Sequence, residues 1–355
     1  MSSSSHTRAG LIAVRGALFH CLRNPGVRAD SEAVEYFDDG LLLIENGHFV
    51  EYGPAAPLLR KIPADTPLTD YRGKLILPGF IDSHIHYPQT DIIASHGTQL
   101  LEWLNKYTFP TESRFGDLEF ASEVASFFID ELLRNGTTTA MVMPTVHPES
   151  VDAIFAAARQ RNMRLISGKV LMDRHAPDAL LDTAESAYSD SRDLIEKWHG
   201  KDRLAYAITP RFAPTSSNAQ LAAAGQLANE YPDTYIHSHV AENHEEVAWV
   251  SRLFPWSRSY LDVYDHYHLL RQRAVFAHGI HLDDTDRTRL ADSGASLAFC
   301  PTSNAFLGSG LFDLPRNHQH NVRVGLATDV GGGTSFSMLQ TLSEAYKIQQ
   351  LSGHH

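Results

Sequence analysis

After Gly73 the chain settles into one repeating pattern that leaves few folds open to it. Short apolar runs rich in β-formers alternate with longer stretches of helical periodicity. The runs are Leu75–Asp82, Thr138–Met143, Leu165–Leu171, Leu204–Thr209, Tyr235–His239, Ala274–His278, Ala295–Phe299 and Val322–Thr328. Helical stretches follow most of them: Leu118–Arg134, Ser150–Arg161, Ala179–His199, Asn218–Glu230, Glu245–Phe254, Asp284–Ser293 and Ser335–Leu351. Near-continuous apolar strands imply a parallel sheet covered by helices. Eight such units over about 280 residues predict an α/β protein with a closed (β/α)8 barrel of the TIM type. A doubly wound open sheet is the competing arrangement, but no G-x-G-x-x-G follows the first strand.

The segment before Gly73 has a different grain. The Ser-rich opening residues are expected to fray. LIAVRGALFH, an acidic run from Ala29 to Asp39, and GLLLIENGHFVEYG with Asn46-Gly47 at its centre read as short strands with a hairpin turn. Residues 1–73 are therefore expected to form part of a small β domain, and 74–355 the barrel.

Composition removes several kinds of partner. The formal charge is −12 and no Lys/Arg run occurs, so nothing would displace counterions from a polyanion, and nucleic acid and anionic membrane are poor partners. Cys21 and Cys300 cannot make a disulfide framework. The first ten residues lack the apolar core of a signal peptide, and no apolar run approaches a membrane span. A soluble, cytoplasmic protein is expected.

Histidine is abundant, with 20 in 355 residues, so only placement separates ligands from background. Catalytic groups of a barrel sit where strands end. His84 and His86 follow strand one, His239 lies on strand five, His278 ends strand six and Asp329 ends strand eight. In His84-Ile85-His86 the two-residue period puts both imidazoles on one face. Asp82 is a possible acceptor behind them. Three other H-x-H triplets occur; those at His266 and His318 have no strand before them and read as surface histidines. His237 shares a face with His239 one layer deeper and receives little functional weight. Asp329, before a glycine-rich loop, could equally cap the next helix. Together these groups offer three or four nitrogens and one oxygen, the donor set of a catalytic zinc site with a position open for water. Such a set does not distinguish Zn²⁺ from Fe²⁺. Glu242, three residues past His239, would stand beside the metal as a proton shuttle. Neither HExxH, a P-loop, G-x-S-x-G nor the cytidine-deaminase zinc pattern is present.

Longer runs carry a resemblance. The Pro78–His86 stretch with the strand-five and strand-six histidines and the strand-eight aspartate resembles the amidohydrolase superfamily. HIHYPQ (84–89), LLEWLNKYTFPTE (100–112), TVHPES (145–150), GKVLMDR (168–174), ITPRFAPTSS (208–217), SHVAEN (238–243), CPTSNAFLGSG (300–310) and TDVGGGTSFSMLQTL (328–342) resemble, more narrowly, its guanine deaminases. The resemblance implies hydrolytic deamination of guanine to xanthine. It implies one divalent metal, Zn²⁺ before Fe²⁺, on His84, His86, His239 and Asp329. Glu242 would transfer protons, His278 would orient the water and Asp329 would take its proton. Gln89, Arg211 and Phe212 would contact the purine, and a homodimer is implied.

Taken alone, Arg211 would read as a surface arginine, and the aromatic Leu100–Pro110 segment as either lid or core packing. Deamination of another aminated heterocycle (cytosine, 8-oxoguanine or a triazine) and a non-catalytic barrel scaffold are the alternatives. One departure stands out: members of the family continue past the last barrel helix and return to complete the small β domain. With the chain ending at His355, the C-terminal half of that domain is expected to be missing and a sheet edge left exposed.

Overall fold

The computed structural model describes residues 10–26, 30–96 and 99–353. The Ser-rich start and Ala29, at the head of the acidic run, lie outside them. The chain divides into two compact units, Met1–Gly79 and Phe80–His355.

The first unit is a four-stranded sheet in the order β3-β2-β1-β4, from β1 (Leu11–Cys21), β2 (Val34–Glu45), β3 (His48–Pro54) and β4 (Leu68–Ile76). β2 and β3 are joined at Asn46 and Gly47, with φ of 52° and 79°, the left-handed pair that a two-residue hairpin needs. Alternation along β1 and β2 sends Leu11, Ala13, Leu41 and Leu43 to one face, where they pack on Ala55 and Leu58 of the short helix Ala55–Leu59. β3 and β4 are the outer strands of this sheet, and Phe49, Tyr52 and Leu75 are exposed.

The second unit is the barrel. Its strands are β5 (Phe80–His86), β6 (Thr137–Met143), β7 (Arg164–Ser167) with its short continuation β8 (Val170–Leu171), β9 (Leu204–Pro210), β10 (Tyr235–Val240), β11 (Ala274–His278), β12 (Ser296–Phe299) and β13 (Arg323–Leu326). They are all parallel, in the order β5-β6-β7-β9-β10-β11-β12-β13. First and last strands meet through Ser83 Oγ donating to the Leu326 carbonyl at 2.9 Å and the Asp329 amide donating to the His84 carbonyl at 3.0 Å. The barrel is thus nearly closed, and the open-sheet alternative is excluded.

The run expected to open the barrel, Leu75–Asp82, is in fact divided. Leu75 and Ile76 pair with Ala17 and Leu18 of β1, and the barrel strand starts at Phe80. Pro78 has no N–H to give a ladder, so an apolar run that looks continuous in sequence serves two sheets. Helices cover the barrel because their apolar stripes match the outward faces of the strands. Leu118–Arg134, capped by Asp117, buries Ala121, Val124, Ala125, Phe128, Ile129 and Leu132, spaced three and four apart. Ile85, between the two strand-one histidines, is buried in that outer layer, so the histidines face the barrel interior.

Candidate active site

His84 and His86 lie on β5 itself, His239 on β10, His278 at the end of β11, and Asp329 on the loop after β13. The His86 Nε2 atom is 3.1 Å from His84 Nε2 and 3.2 Å from His239 Nε2, and Asp329 Oδ1 is 3.2 Å from His84 Nε2 and 3.5 Å from His86 Nε2. His239 Nδ1 donates to the Arg211 carbonyl at 2.6 Å, which leaves its Nε2 as a bare lone pair. Burial holds the imidazoles of His84, His86 and His239 below their ordinary pKa, those of His86 and His239 well below. Neutral rings aiming unprotonated nitrogens at one point repel unless a cation stands between them. Two nitrogens bound tetrahedrally to one ion at about 2.0–2.1 Å lie about 3.3 Å apart, close to the spacing seen. The donor set fits a divalent metal.

Asp329 does not cap a helix. The helix Met338–Leu351 is capped by Ser337 instead. The glycines after Asp329 are a packing requirement: a Cβ on Gly331 would fall 2.6 Å from the Gln89 carbonyl oxygen, and one on Gly333 1.8 Å from that of Thr328. Asp82 does not back a histidine ring. Its carboxylate accepts from the Thr328 hydroxyl and, at 3.1 Å, from the Thr328 amide, so it ties β5 to the approach to Asp329. Burial pushes its pKa up to about 7. His237 carries more than its sequence context suggests, because its Nε2 lies 2.7 Å from His84 Nδ1 and the ring is fully buried. The signal available in the sequence was its two-residue spacing from His239.

Around this centre stand the titrating groups. His278 Nε2 is 3.3 Å from Glu242 Oε2 and 3.8 Å from Asp329 Oδ2, while its Nδ1 meets Asn304 Oδ1 at 2.9 Å. Burial alone would lower the His278 imidazole, but the two carboxylates and Asn304 lift it above its ordinary value. Burial pushes the Glu242 carboxyl up to about 7, against the opposing charge of His278. The second oxygen of Glu242 accepts from Ser309 Oγ at 2.8 Å. Glu246 caps the helix His244–Leu253 in a reciprocal box with Asn243, and its Oε2 accepts the Glu242 amide at 2.9 Å. That contact fixes the backbone under Glu242.

A cleft opens over these groups, walled by Gln89, Leu100, Trp103, Arg211 and Phe212. The Leu100–Pro110 segment forms one wall and is also core: Leu100, Trp103, Leu104 and Phe109 pack with Phe212 and Leu307 in a single apolar cluster. Arg211 is no surface residue. Its guanidinium is buried and paired with Glu112, a residue that sequence reasoning passed over. The triplets at His266 and His318 contribute nothing to the centre; His266, His268 and His318 are exposed.

The amidohydrolase family pattern matches residues 75–354. Guanine deaminase of Escherichia coli (strain K12) is 55% identical over 357 residues, spanning 100% of this chain and 80% of the relative. Among solved structures, E. coli guanine deaminase superposes with a TM-score of 0.95 at 55% identity, covering 96% of this chain and 79% of that one. Guanine deaminase from C. acetobutylicum, solved with guanine bound in the active site, gives 0.90 at 28% identity, covering 97% and 81%. The chain belongs to the amidohydrolase family, on its guanine deaminase branch.

Proposed function

We propose that this chain hydrolyses guanine to xanthine and ammonia, using a single divalent cation held by His84, His86, His239 and Asp329. The observation that carries the reading is the pairing of that donor set with Glu242. This buried carboxyl has a pKa near 7 and stands at a cleft also lined by Arg211, Gln89 and Phe212. Closely similar guanine deaminases, one of them solved with guanine bound, support the choice of substrate. Zn²⁺ is placed before Fe²⁺ on the family resemblance; three imidazoles, one carboxylate and an open position suit a catalytic zinc, and the donor set itself accepts either ion. The reading includes a cytoplasmic homodimer, carried over from the family. Among the described residues no helix is long and apolar enough to cross a membrane.

When bound, the cation lowers the pKa of a water from 15.7 to about 7 and so supplies a nucleophile at neutral pH. The protein's own groups do the rest. Phe212 and Trp103 flank the flat ring and exclude solvent, and Arg211 and Gln89 hold its edge by hydrogen bonds. Asp329 takes one proton from the attacking water as its oxygen bonds to C2, and His278 Nε2 fixes the direction of attack. Glu242 delivers its proton to N3, the ring nitrogen beside C2, so no full negative charge builds on the ring. The proton held by Asp329 then passes to the amine, the C2–N bond breaks, and the C2 hydroxyl returns its proton to the Glu242 carboxylate as the carbonyl forms. One water proton thus ends on ammonia and the other replaces the proton that Glu242 gave to N3.

The test is guanine-to-xanthine turnover followed by ultraviolet absorbance, with metal quantified in the same sample. Turnover is expected with about one metal per chain, and Glu242→Gln is expected to abolish it while keeping the metal. Turnover of another aminated heterocycle with no xanthine formed refutes the guanine assignment, and a folded chain with no metal favours the scaffold.

A further inference from the structure

Glu112 has no counterpart in the chemistry described above, and its surroundings are unusual. It sits at the end of the short helix Phe109–Glu112, between β5 and the first long barrel helix, and is 0% exposed. It does not line the cleft. Its Oε2 accepts from Arg211 Nη1 at 2.6 Å, and its Oε1 accepts from Arg211 Nη2 at 3.1 Å and from Gln89 Nε2 at 3.0 Å. The carboxamide oxygen of Gln89 is taken by the Gly331 amide at 3.2 Å. Arg211 and Gln89, which do line the cleft, are 3% and 2% exposed.

Hydrogen-bond arithmetic follows from these contacts. A guanidinium has five N–H donors and no acceptor; two are spent on Glu112. A carboxamide has two N–H donors and one oxygen; one donor goes to Glu112 and the oxygen is engaged by Gly331. Apart from one lone pair left on the Gln89 oxygen, what the pair can still offer a ligand is N–H. An ionised carboxylate is acceptor-only, so Glu112 enforces that polarity. It permits no arrangement in which the Gln89 oxygen replaces its Nε2 against Glu112. The Arg211 backbone carbonyl also receives His239 Nδ1, so the same residue that grips the ligand orients a ligating imidazole.

We propose that Glu112 is a positioning residue for substrate selection: by locking Arg211 and Gln89 it makes their edge of the cleft a surface dominated by donors, which favours a 2-aminopurine bearing a 6-carbonyl over one bearing a 6-amino group. The inference rests on the guanine deaminase reading and adds its specificity device. A site built to donate to a carbonyl leaves buried donors unpaired, and facing other N–H groups, when an amino group takes the carbonyl's place.

The experiment compares guanine with 2,6-diaminopurine, which carries the same C2 amine to be removed and differs at C6 and in lacking the N1 proton. Steady-state kinetics of the full chain loaded with Zn²⁺, and zinc content by elemental analysis, are measured for the wild type, Glu112→Gln and Glu112→Asp. Glu112→Asp keeps the charge that Arg211 needs for folding but is one methylene too short to reach Arg211 and Gln89 together. In both variants KM for guanine is expected to rise at least tenfold with kcat within threefold and zinc content unchanged. The guanine to 2,6-diaminopurine ratio of kcat/KM is expected to fall at least tenfold. If Glu112→Gln does not fold, Glu112→Asp decides alone. A folded variant whose KM and substrate ratio stay within twofold of wild type overturns the proposal, as does an equal loss on both substrates, which marks a purely structural role. A wild type that turns over neither guanine nor 2,6-diaminopurine overturns the deaminase reading itself, an outcome distinct from an active wild type with indifferent variants.

Discussion

His237 offers the sharpest test of how the proposed metal ligands are held. Its Nε2 lies 2.7 Å from His84 Nδ1, and both rings are fully buried. For His84 to present a lone pair at Nε2, its Nδ1 must carry the proton and donate it to His237. His237→Leu removes that acceptor while filling most of the space. The partner of a ligating histidine is worth about 10–100-fold in metal affinity, which is about 1.4–2.7 kcal/mol. The upper half of that range is expected because neither ring meets water that could replace the lost bond. The His84 N–H is also left buried and unpaired, at a further cost of about 1–3 kcal/mol in folding stability. His237→Gln, whose side-chain oxygen restores an acceptor, is expected to recover most of the affinity. Titration of the metal-free protein with Zn²⁺ against a chromophoric chelator at pH 7 measures both. A leucine variant that stays folded and binds Zn²⁺ within twofold of wild type refutes the reasoning. A glutamine variant as weak as leucine shows that ring packing, not the hydrogen bond, is what counts.

Three further outcomes follow from the same geometry. In the proposed reaction Glu242 acts as an acid, and its pKa is pushed up to about 7 by burial, so the active form would be the protonated one. kcat/KM is expected to be level below that pKa and to fall as pH rises through it, by about tenfold at pH 8; a profile flat to pH 8.5 removes Glu242 from the acid role. Ser309→Ala withdraws the donor 2.8 Å from Glu242 Oε1. The loss of one hydrogen bond, about 1 kcal/mol or about fivefold in rate, is expected in kcat, and the alkaline limb moves to higher pH because the ionised carboxylate has lost a supporting donor. Lys169 is buried against Asp182 and does not line the cleft. Lys169→Met strands a buried carboxylate and is expected to cost about 3–5 kcal/mol in urea unfolding, with kcat per folded chain unchanged.

The centre was legible in sequence because strands impose a rule that residue order reveals: period two aligns His84 with His86, and strand ends converge in a barrel. What stayed hidden depends on contacts between segments far apart in the chain. Glu112 lies 23 residues from Gln89 and 99 from Arg211. Its sole trace was an acid closing an aromatic stretch, Phe109-Pro110-Thr111-Glu112. Asp82 was noticed as an acid near histidines, but its partner is Thr328, 246 residues on, so proximity in sequence pointed it at the wrong group. The start of the barrel is hidden for a related reason. Apolar character alone does not say which sheet a residue joins, and only Pro78 marked where the ladder had to change.

Backbone conformation completes the account of why strand ends carry the site. Ala241, His278 and Asp329 have φ of 47°, 70° and 52°, in the left-handed region where a side chain costs about 1–3 kcal/mol. All three stand where a barrel strand gives way to its loop, at or beside a group assigned to the chemistry. In an extended strand, alternation would dictate which way each next side chain points. A left-handed residue breaks that alternation, so Asp329 can follow β13 and still bring Oδ1 to 3.2 Å from His84 Nε2. The conformation persists because neighbours over-determine it. The Asp329 amide is bound to the His84 carbonyl at 3.0 Å and its carbonyl to the Gly333 amide at 2.5 Å, while the Ala241 carbonyl takes the His281 amide at 3.0 Å. Folding stability is thus given up locally where ligand direction matters most, and the surrounding hydrogen bonds, rather than residue type, hold the direction. This is the part of the site that residue types alone could not announce, since alanine, histidine and aspartate have no common preference for that conformation.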